Sequence, residues 1–288
     1  MSRQDPSRLP RVAVVVPAFN PGDYLRQTLA SLKAQTVRDW EAAVVDDGST
    51  EDLRWVSALD PRIRMVRQAN QGLSAARNAG IAATAAPLIA FLDADDLWEP
   101  DKLQHQVDAM DDDNAGLALV STEFEIIDEQ GVVTGPGFEG HHDSYEALLQ
   151  GCGICVSTVM VRRSVIDEVG VFDTSLTGVQ DWDLWLRIAQ GHRIARLEHI
   201  LAQYRLHEGG MSKNWRMTLR EARQVLRRHS HPLAEAGVAR AEELAAYQAF
   251  DSARSAVRSR RYMEAARDLG FVAIHDRKLL TTSVLRRR

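Results

Sequence analysis

Short apolar runs alternate with amphipathic stretches through the first 120 residues of the chain. The apolar runs have the length and the Val, Ile and Leu content of buried strands. They cover residues 12–16, 42–46, 63–66, 88–92 and 117–121, with helical stretches between them at residues 24–35, 74–84 and 102–110. Because strands that alternate with helices usually pair in parallel, the pattern predicts an α/β fold with a mostly parallel central sheet and helices on both faces.

Two of these helices also carry signals for their first turn. Leu25, Leu29 and Leu32 share one face of the first helix, and Asp23 stands where its side chain can cap that helix. Ser74 stands in a similar position at the start of the second helix. We therefore expect both side chains to cap their helices.

The pattern becomes less regular after residue 123 and purely helical after about residue 215. It predicts a hairpin at residues 124–128 and 132–134, a mobile loop at 135–143, a short helix at 144–150, a strand at 156–161, a helix at 182–189 and a strand at 201–205. Helices follow at residues 217–229, 233–258 and 262–274. We therefore predict two domains, an α/β domain over residues 1–215 and a helical region over residues 216–288.

The composition is typical of a globular protein that lies in water. The 288 residues are 45% hydrophobic and 26% charged. No stretch approaches the roughly 20 apolar residues that a membrane-spanning helix needs. Residues 1–11 lack the apolar core of a signal peptide. The sequence therefore predicts a cytoplasmic protein.

The net charge of −5 is unevenly distributed along the chain. Residues 211–288 carry 17 Lys and Arg against 8 Asp and Glu, whereas residues 1–210 carry 18 against 32. An acidic domain is a poor partner for nucleic acid but can hold a metal cation. The basic C-terminal helices are a candidate contact for anionic lipid at the inner face of a membrane or for an acidic protein. A solvated helix face is the simpler explanation of the same charges.

Acidic residues directly follow two of the predicted strands. Asp46 and Asp47 close the second strand, and Asp93, Asp95 and Asp96 follow the fourth. Ligands of parallel sheets bind beyond the carboxyl ends of the strands. Neighbouring carboxylates repel each other unless a cation or solvent relieves them, and Mg²⁺ and Mn²⁺ prefer oxygen ligands together with phosphate. The pattern favours a nucleotide and metal site, although an acidic turn before a helix has the same sequence.

Four further residues are candidates for a site at this edge of the sheet. Arg77, near the start of the second helix, can contact a nucleotide or hold an Asp by a bidentate ion pair. Asp181 begins a predicted helix and is either a helix cap or a general base. Arg205 and His207 follow the last strand, where they can neutralise a diphosphate or complete a metal shell. A purely structural role stays open for each of them.

Taken in order, these residues resemble the family 2 glycosyltransferases over roughly residues 10–210. The motifs that carry the resemblance are Pro17-Ala18-Phe19-Asn20, Asp46-Asp47-Gly48-Ser49, Gly72 with Ala76-Arg77-Asn78, Asp93-Ala94-Asp95-Asp96, Gly170-Val171-Phe172-Asp173, and Gln180-Asp181 before Trp182-Asp183-Leu184. The resemblance implies a GT-A nucleotide-sugar-binding fold with a C-terminal helical extension outside the match. It also implies a nucleoside-diphosphate sugar donor, Mg²⁺ or Mn²⁺ as cofactor, and inversion at the anomeric carbon.

The resemblance assigns a role to most of the matching residues. The residues expected at the nucleotide and donor, with Arg205 added from its position, are Pro17, Phe19, Asn20, Asp46, Asp47, Arg77, Asp93, Ala94, Asp95 and Arg205. Asp95 and Asp93 are the expected metal ligands, with His207 as a third, and Asp181 is the expected catalytic base. Many members have Glu before that base, where this chain has Gln180. This difference removes one negative charge beside the base.

The two cysteines, Cys152 and Cys155, form a lone C-x-x-C. A zinc site would need two more ligands, and none stands at a suitable spacing. We therefore interpret both as small, reduced residues, one of which is a candidate for lining the acceptor pocket.

The expected function is that of an inverting glycosyltransferase for a carbohydrate, lipid-linked or small-molecule acceptor. Synthesis of cell-envelope polysaccharide, glycolipid or glycosylated natural products are its candidate settings. A nucleotidyltransferase also uses paired Asp residues with Mg²⁺, but the loop at residues 17–23 lacks the basic residues typical of that class. A catalytically idle sugar-nucleotide-binding or scaffold module is the third alternative, and the intact Asp95 and Asp181 argue against it.

Overall fold

The computed structural model describes residues 9–112, 116–137, 143–207, 215–229, 231–258 and 262–275. Its strands form one mixed sheet. In chain order they are β1 Val12–Ala18, β2 Trp40–Asp46, β3 Ile63–Arg67, β4 Leu88–Phe91, β5 Leu97–Trp98, β6 Leu117–Ile127, β7 Val133–Pro136, β8 Met160–Arg162 and β9 Arg193–Arg205. Their order in the sheet is β3-β2-β1-β4-β8-β6-β9-β5, and β7 extends it by pairing with β6.

The first four strands of the sheet are parallel, as the alternating pattern predicts. β1 pairs with β2 from Val12 opposite Trp40 to Ala18 opposite Asp46, and its other edge pairs with β4. Every residue of β1 is buried, because helices cover both faces of these strands. The carboxyl ends of β1, β2 and β4 therefore lie side by side, and the acidic motifs follow two of them.

The remaining strands introduce antiparallel pairing that the sequence pattern does not show. β8 lies between β4 and β6 and is antiparallel to both, whereas β6 and β9 are parallel to each other. The predicted strand at residues 156–161 is wrong in its first half, where Val156–Thr158 forms a 3₁₀ turn before β8. The predicted strand at residues 201–205 is the end of the much longer β9.

Apart from a helix at residues 163–169 that the sequence pattern does not predict, the helices follow the predicted order with small shifts at their ends. They are α1 Tyr24–Lys33, α2 Leu73–Ala82, α3 Lys102–Asp111, α4 Tyr145–Gln150, α5 Arg163–Val169, α6 Gln180–Gly191, α7 Trp215–Leu226, α8 Pro232–Arg258 and α9 Tyr262–His275. Neither predicted cap forms. The Asp23 side chain makes no capping hydrogen bond, and the Ser74 hydroxyl donates instead to the Leu176 carbonyl at 3.1 Å.

The chain divides into two compact units. One spans Met1–Leu148 and Cys152–Glu208, and the other spans Leu149–Gly151 and Gly209–Arg288. In the second unit, Trp215 and Leu219 of α7 form a small apolar core with Ala245, Ala249 and Val272. The division into an α/β domain over residues 1–215 and a helical region over residues 216–288 stays a prediction. Most of the predicted loop at residues 135–143 lies outside the described residues. None of the helices described has the length and apolar character needed to cross a bilayer.

Candidate active site

Asp46 ends β2 in a fully buried position at the carboxyl edge of the sheet. Its Oδ1 accepts a hydrogen bond from the Ser49 backbone N–H at 2.8 Å. Its Oδ2 lies 3.0 Å from Nη1 of Arg67, an ion pair whose N–H does not point at the oxygen. Oδ2 is therefore a buried oxygen without a hydrogen bond among the described residues, and its charge is balanced by the Arg67 guanidinium.

Asp47, the next residue, has no such free oxygen. Its Oδ1 accepts from Gln68 Nε2 at 2.8 Å and from the Gln71 N–H at 2.9 Å, and its Oδ2 accepts from the Gly72 N–H at 2.8 Å. Gly72 has a φ of 88°, which glycine adopts without strain. These contacts favour a structural role in which Asp47 holds the loop before α2.

The loop after β1 reaches across to the loop after β2. Asn20 has a φ of 46°, and its Oδ1 accepts hydrogen bonds from the Thr50 N–H at 2.8 Å and from the Thr50 hydroxyl at 3.0 Å. Pro17 is buried opposite Val45, whereas Phe19 is 52% exposed. Of these residues, Phe19 offers an aromatic ring to a ligand, and Asn20 fixes the loop that carries it.

Asp93, the first acidic residue after β4, forms an ion pair with Arg77 of α2. Arg77 Nη2 donates to Oδ1 at 2.7 Å and to Oδ2 at 3.0 Å. The Asp93 backbone N–H donates to the Ser157 hydroxyl at 3.0 Å. Both carboxylate oxygens of Asp93 are therefore held by one guanidinium nitrogen, and the role of Asp93 as a metal ligand stays a prediction.

Asp95 faces His207, which follows β9. Asp95 Oδ2 and His207 Nε2 lie 2.9 Å apart, and the Tyr24 ring lies 5.3 Å from the His207 ring. Burial raises the pKa of the Asp95 carboxyl above its ordinary value, and so does the Asp93 charge, whereas the hydrogen bond with His207 lowers it. Ala94 lies between the two acidic residues and is partly buried.

Asp96 is fully buried and acts as a junction between several elements. Its Oδ1 accepts from the Arg205 backbone N–H at 2.9 Å and its Oδ2 from the Ser157 hydroxyl at 2.5 Å. Its carbonyl accepts from the Thr28 hydroxyl of α1 at 2.8 Å. Asp96 thus fixes the backbone that presents Asp93 and Asp95.

Arg205 is buried and uses all three guanidinium nitrogens within the protein. Nε donates to the Asp95 carbonyl at 2.8 Å, Nη1 to the carbonyls of Asp128 and Glu129, and Nη2 to Gln27 Oε1 at 3.0 Å. These contacts favour a structural role over the predicted contact with a diphosphate. Arg205 therefore holds the backbone at Asp95, which belongs to the candidate metal site, against the turn between β6 and β7.

Asp181 lies in the first turn of α6, where its Oδ1 accepts from the Trp182 N–H at 2.8 Å. Burial raises the pKa of the Asp181 carboxyl, whereas the Arg77 charge lowers it. Gln180 is buried beside it, and its Oε1 has no hydrogen-bond partner among the described residues. An ionisable carboxylate and an unused amide oxygen therefore stand together at the helix start.

The two cysteines lie close to this helix start. Both are free thiols, and Cys155 is buried. Burial raises the pKa of Cys152, and the Asp181 charge raises it further. Burial likewise raises the pKa of Cys155. Both side chains are therefore neutral thiols at neutral pH.

The residues of this site fit a divalent cation that the protein holds with part of its coordination shell and that a bound ligand holds with the rest. In the part of the chain that the structure describes, no three His, Cys, Asp or Glu side chains converge to hold a metal alone. The 2.9 Å between Asp95 Oδ2 and His207 Nε2 matches the spacing of about 3 Å between adjacent ligands of an octahedral ion. Such ions bind through one or two side chains and complete their shell with phosphate and water.

Comparison with known proteins identifies the family of this site. A family model described as glycosyl transferase family 2 matches residues 13–170, more than half of the chain. The chain belongs to glycosyl transferase family 2. The predicted family is confirmed. The match includes Arg77, Asp93 and Asp95 but ends before Asp181 and His207.

Several relatives in this family match about 70% of the chain. The UDP-Glc:alpha-D-GlcNAc-diphosphoundecaprenol beta-1,3-glucosyltransferase WfgD of Escherichia coli is 29% identical over 70% of this chain and 80% of its own length. The putative teichuronic acid biosynthesis glycosyltransferase TuaG of Bacillus subtilis is 28% identical over 71% of this chain and 82% of its own. An uncharacterized glycosyltransferase, alr2836 of Nostoc, is 33% identical over 68% of this chain, which spans 65% of that relative.

Solved structures of similar fold confirm the predicted GT-A architecture. S. aureus TarS 1-349, in complex with UDP-GlcNAc, superposes with a TM-score of 0.62 at 17% identity, over 83% of this chain and 72% of TarS. The mannosyltransferase PcManGT from Pyrobaculum calidifontis, in complex with GDP-Man and Mn²⁺, has a TM-score of 0.62 at 20% identity, over 98% of this chain and 81% of its own. At 17% and 20% identity, this likeness shows the fold of the chain and nothing more.

Proposed function

We propose that this family 2 protein is an inverting, metal-dependent glycosyltransferase. It moves a sugar from a nucleoside-diphosphate sugar to an acceptor hydroxyl in the synthesis of a cell-envelope polysaccharide or glycolipid. The observation that carries the proposal is the acidic segment after β4, in which Asp93 pairs with Arg77 and Asp95 faces His207. The donors and lipid-linked acceptor in the names of similar proteins support it.

The nucleotide end of the donor is assigned to the carboxyl ends of β1 and β2. Phe19 presents an exposed ring on which a base can stack, and the buried Asp46 holds the loop after β2 through its hydrogen bond with the Ser49 N–H. The neighbouring Asp47 keeps the loop before α2 in place. This arrangement leaves the sugar diphosphate to extend toward Asp95 and Asp181.

Asp95 and His207 would hold the cation, and Asp93 stays paired with Arg77. A divalent cation bound there supplies charge that stabilises a departing diphosphate. Asp96 and Arg205 keep Asp95 in position through the backbone on either side. The role of the protein at this end is therefore to bind and orient the leaving group.

Asp181 is the proposed general base. It takes the proton from the acceptor hydroxyl while that oxygen bonds to the anomeric carbon and the bond from this carbon to the diphosphate oxygen breaks. A single displacement of this kind inverts the anomeric configuration. General-base catalysis typically contributes about 10²–10⁴ in rate.

A donor panel tests this proposal. The purified protein is incubated with UDP-, dTDP- and GDP-sugars, with and without Mn²⁺, and with GlcNAc-diphosphoundecaprenol as the acceptor probe, and release of nucleoside diphosphate is measured. We expect metal-dependent release of nucleoside diphosphate from one donor. The acceptor should stimulate this release, and Asp181→Asn should abolish it. NMR of the product should show the anomeric configuration opposite to that of the donor.

Two results would contradict the proposal. Release of pyrophosphate from a nucleoside triphosphate and a sugar phosphate would indicate a nucleotidyltransferase. Absence of product, together with no metal-dependent donor binding by calorimetry, would leave a scaffold module. If the donor reacts only with another acceptor, calorimetry would still detect metal-dependent donor binding, and this result would separate that case from a scaffold module.

A further inference from the structure

Tyr24, the first residue of α1, packs beside the candidate metal pair Asp95 and His207. The centre of its ring lies 5.3 Å from the centre of the His207 ring, and the two planes are inclined at 53°. The guanidinium carbon of Arg205 lies 4.7 Å from the centre of the same Tyr24 ring. Both distances are typical of favourable ring pairs and cation–π contacts. The ring therefore contacts both side chains that reach Asp95, since Arg205 donates to its carbonyl and His207 faces its carboxylate.

The position of His207 in the chain makes its side-chain contacts important. β9 ends two residues before it, and the described backbone hydrogen bonds of this segment end with the Leu206 N–H, which donates to the Ile127 carbonyl at 2.9 Å. The side chain of His207 is 19% exposed, and its partners among the described residues are the Asp95 carboxylate and the Tyr24 ring. Because strand pairing does not extend to His207, these contacts select the rotamer of its imidazole.

Tyr24 is itself held in place by α1. Leu25 and Leu29 anchor the first turns of this helix in the core, where both are fully buried. Gln27 follows Tyr24 by three positions and shares its face of the helix. Its Oε1 accepts a hydrogen bond from Nη2 of Arg205 at 3.0 Å. The start of α1 is thus attached to the core and to the end of β9, so the Tyr24 ring is a fixed surface on which the imidazole packs.

We propose that Tyr24 is a positioning residue of the candidate metal site, whose ring holds the His207 imidazole toward the Asp95 carboxylate. The role rests on the proposed function, in which Asp95 and His207 bind a divalent cation. Ions such as Mg²⁺ demand ligands in nearly octahedral directions, and an imidazole that rotated freely would lose rotamer entropy on binding. A ring that restricts the imidazole beforehand therefore raises the affinity of the site for the cation.

The contact itself is tested in the unmodified protein without metal. Tyr and His are labelled with ¹³C, and nuclear Overhauser effects are recorded between the ring protons of Tyr24 and His207. Tyr24→Phe and His207→Gln assign the two sets of signals. We expect the effects to be present, and their absence would overturn the role of Tyr24 whether or not any variant folds.

The consequence of the contact is tested by Mn²⁺ binding in the presence of UDP. In Tyr24→Leu, the Mn²⁺ affinity measured by electron paramagnetic resonance should fall about 2–12-fold, the range that a typical aromatic pair contributes. Pulsed measurements on the bound Mn²⁺ detect the ¹⁴N nucleus of a coordinated imidazole, and this signal should weaken in Tyr24→Leu. Tyr24→Phe keeps the ring and should retain both the affinity and the nitrogen signal.

Gln27→Leu is the matched control from the same face of α1. It removes the hydrogen bond between α1 and Arg205 but leaves the Tyr24 ring against His207, so the affinity and the nitrogen signal should not change. Circular dichroism checks that each variant folds. Equal losses in Gln27→Leu and Tyr24→Leu would overturn the proposal, because the effect would then come from the attachment of α1 to Arg205.

The outcomes separate this role from the proposed function. If His207→Gln lowers the Mn²⁺ affinity and removes the nitrogen signal but Tyr24→Leu changes neither, the metal site stands and the role of Tyr24 is wrong. If neither Asp95→Asn nor His207→Gln affects Mn²⁺ binding, the metal site of the proposed function fails and the role of Tyr24 fails with it.

Discussion

Asp95 and His207 stand 112 positions apart in the chain, yet their Oδ2 and Nε2 atoms lie 2.9 Å apart. Asp95 follows β4 and His207 follows β9, two strands that the sheet order separates by β8 and β6. The contact follows instead from β5, which begins two residues after Asp95 and pairs with β9 through Leu97 opposite Gln203, and from the hydrogen bond between the Arg205 N–H and Asp96.

Removing either member of this pair should weaken metal binding. In Asp95→Asn and His207→Gln we expect Mn²⁺ affinity, measured by electron paramagnetic resonance of free Mn²⁺ in the presence of UDP, to fall at least about tenfold. The loss follows because few protein ligands are available to the ion.

The chain offers a matched control for these metal measurements. His105 of α3 and Asp101, which directly precedes that helix, form a similar pair at 3.3 Å on the surface. Asp101→Asn and His105→Gln should leave Mn²⁺ affinity unchanged. Equal losses in both pairs, or none in either, would remove Asp95 and His207 as the proposed ligands.

Asp181→Asn should separate binding from chemistry. The amide keeps the shape of the side chain but cannot accept a proton, so kcat should fall about 10²–10⁴-fold. The donor dissociation constant, measured by calorimetry with Mn²⁺, should stay within about twofold, because this side chain acts on the acceptor. The exposed Asp167 of α5 gives the control Asp167→Asn, with unchanged kcat. A kcat that survives in Asp181→Asn would assign the base elsewhere.

The sequence predicts the acidic edge of this site because each motif follows a local pattern. An apolar run that ends in Asp46 or Asp93 predicts a strand end even when the position of that strand in the sheet is unknown. Parallel pairing of the strands then brings these ends to the same edge of the sheet. β8 could not be predicted in this way. Its apolar run shows burial but carries no information on the direction of pairing, and its antiparallel partners β4 and β6 are remote in the chain.

Ser157 illustrates what local patterns leave out. Its hydroxyl accepts from the Asp93 N–H and donates to Asp96, and its carbonyl accepts from Trp98 Nε1 at 2.7 Å. It lies in an apolar stretch, and its partners are about 60 positions away in the chain. Arg205 shows the opposite case. Its position after the last strand predicts a contact with a diphosphate, but its guanidinium donates to backbone carbonyls of the protein.

Close packing of α2 on the sheet should make Gly80 intolerant of a methyl group. A Cβ at this position would lie 2.4 Å from Val15 Cγ1 and 3.3 Å from Val45 Cγ2. Gly80→Ala should therefore lower the free energy of unfolding by about 1–3 kcal/mol, although alanine favours helix. The matched control is Gly191→Ala at the end of α6, where a Cβ meets nothing within 4 Å. Urea unfolding that shows Gly80→Ala to be as stable as Gly191→Ala would refute this account of the α2 contact.

Lys102 of α3 should make stability depend on pH. It is fully buried, with Nζ 2.5 Å from Gln106 Oε1 and 4.1 Å from the centre of the Trp98 ring. Burial lowers the pKa of Lys102 well below its ordinary value. Between that lowered pKa and about 10.5, the unfolded chain binds a proton that the folded chain does not. The free energy of unfolding should therefore rise with pH in this window, by up to about 1.4 kcal/mol per pH unit.

The variant Lys102→Met removes this titration and is the test. Urea unfolding at pH 7 and pH 9.5 should show that the unmodified protein gains stability relative to Lys102→Met as the pH rises. The comparison across pH cancels the fixed cost of leaving Gln106 Oε1 without its donor. Gln106→Leu keeps the lysine amine and should retain the dependence even though the whole protein becomes less stable. Parallel pH profiles for the unmodified protein and Lys102→Met would mean that the Trp98 ring and Gln106 keep the buried ammonium charged.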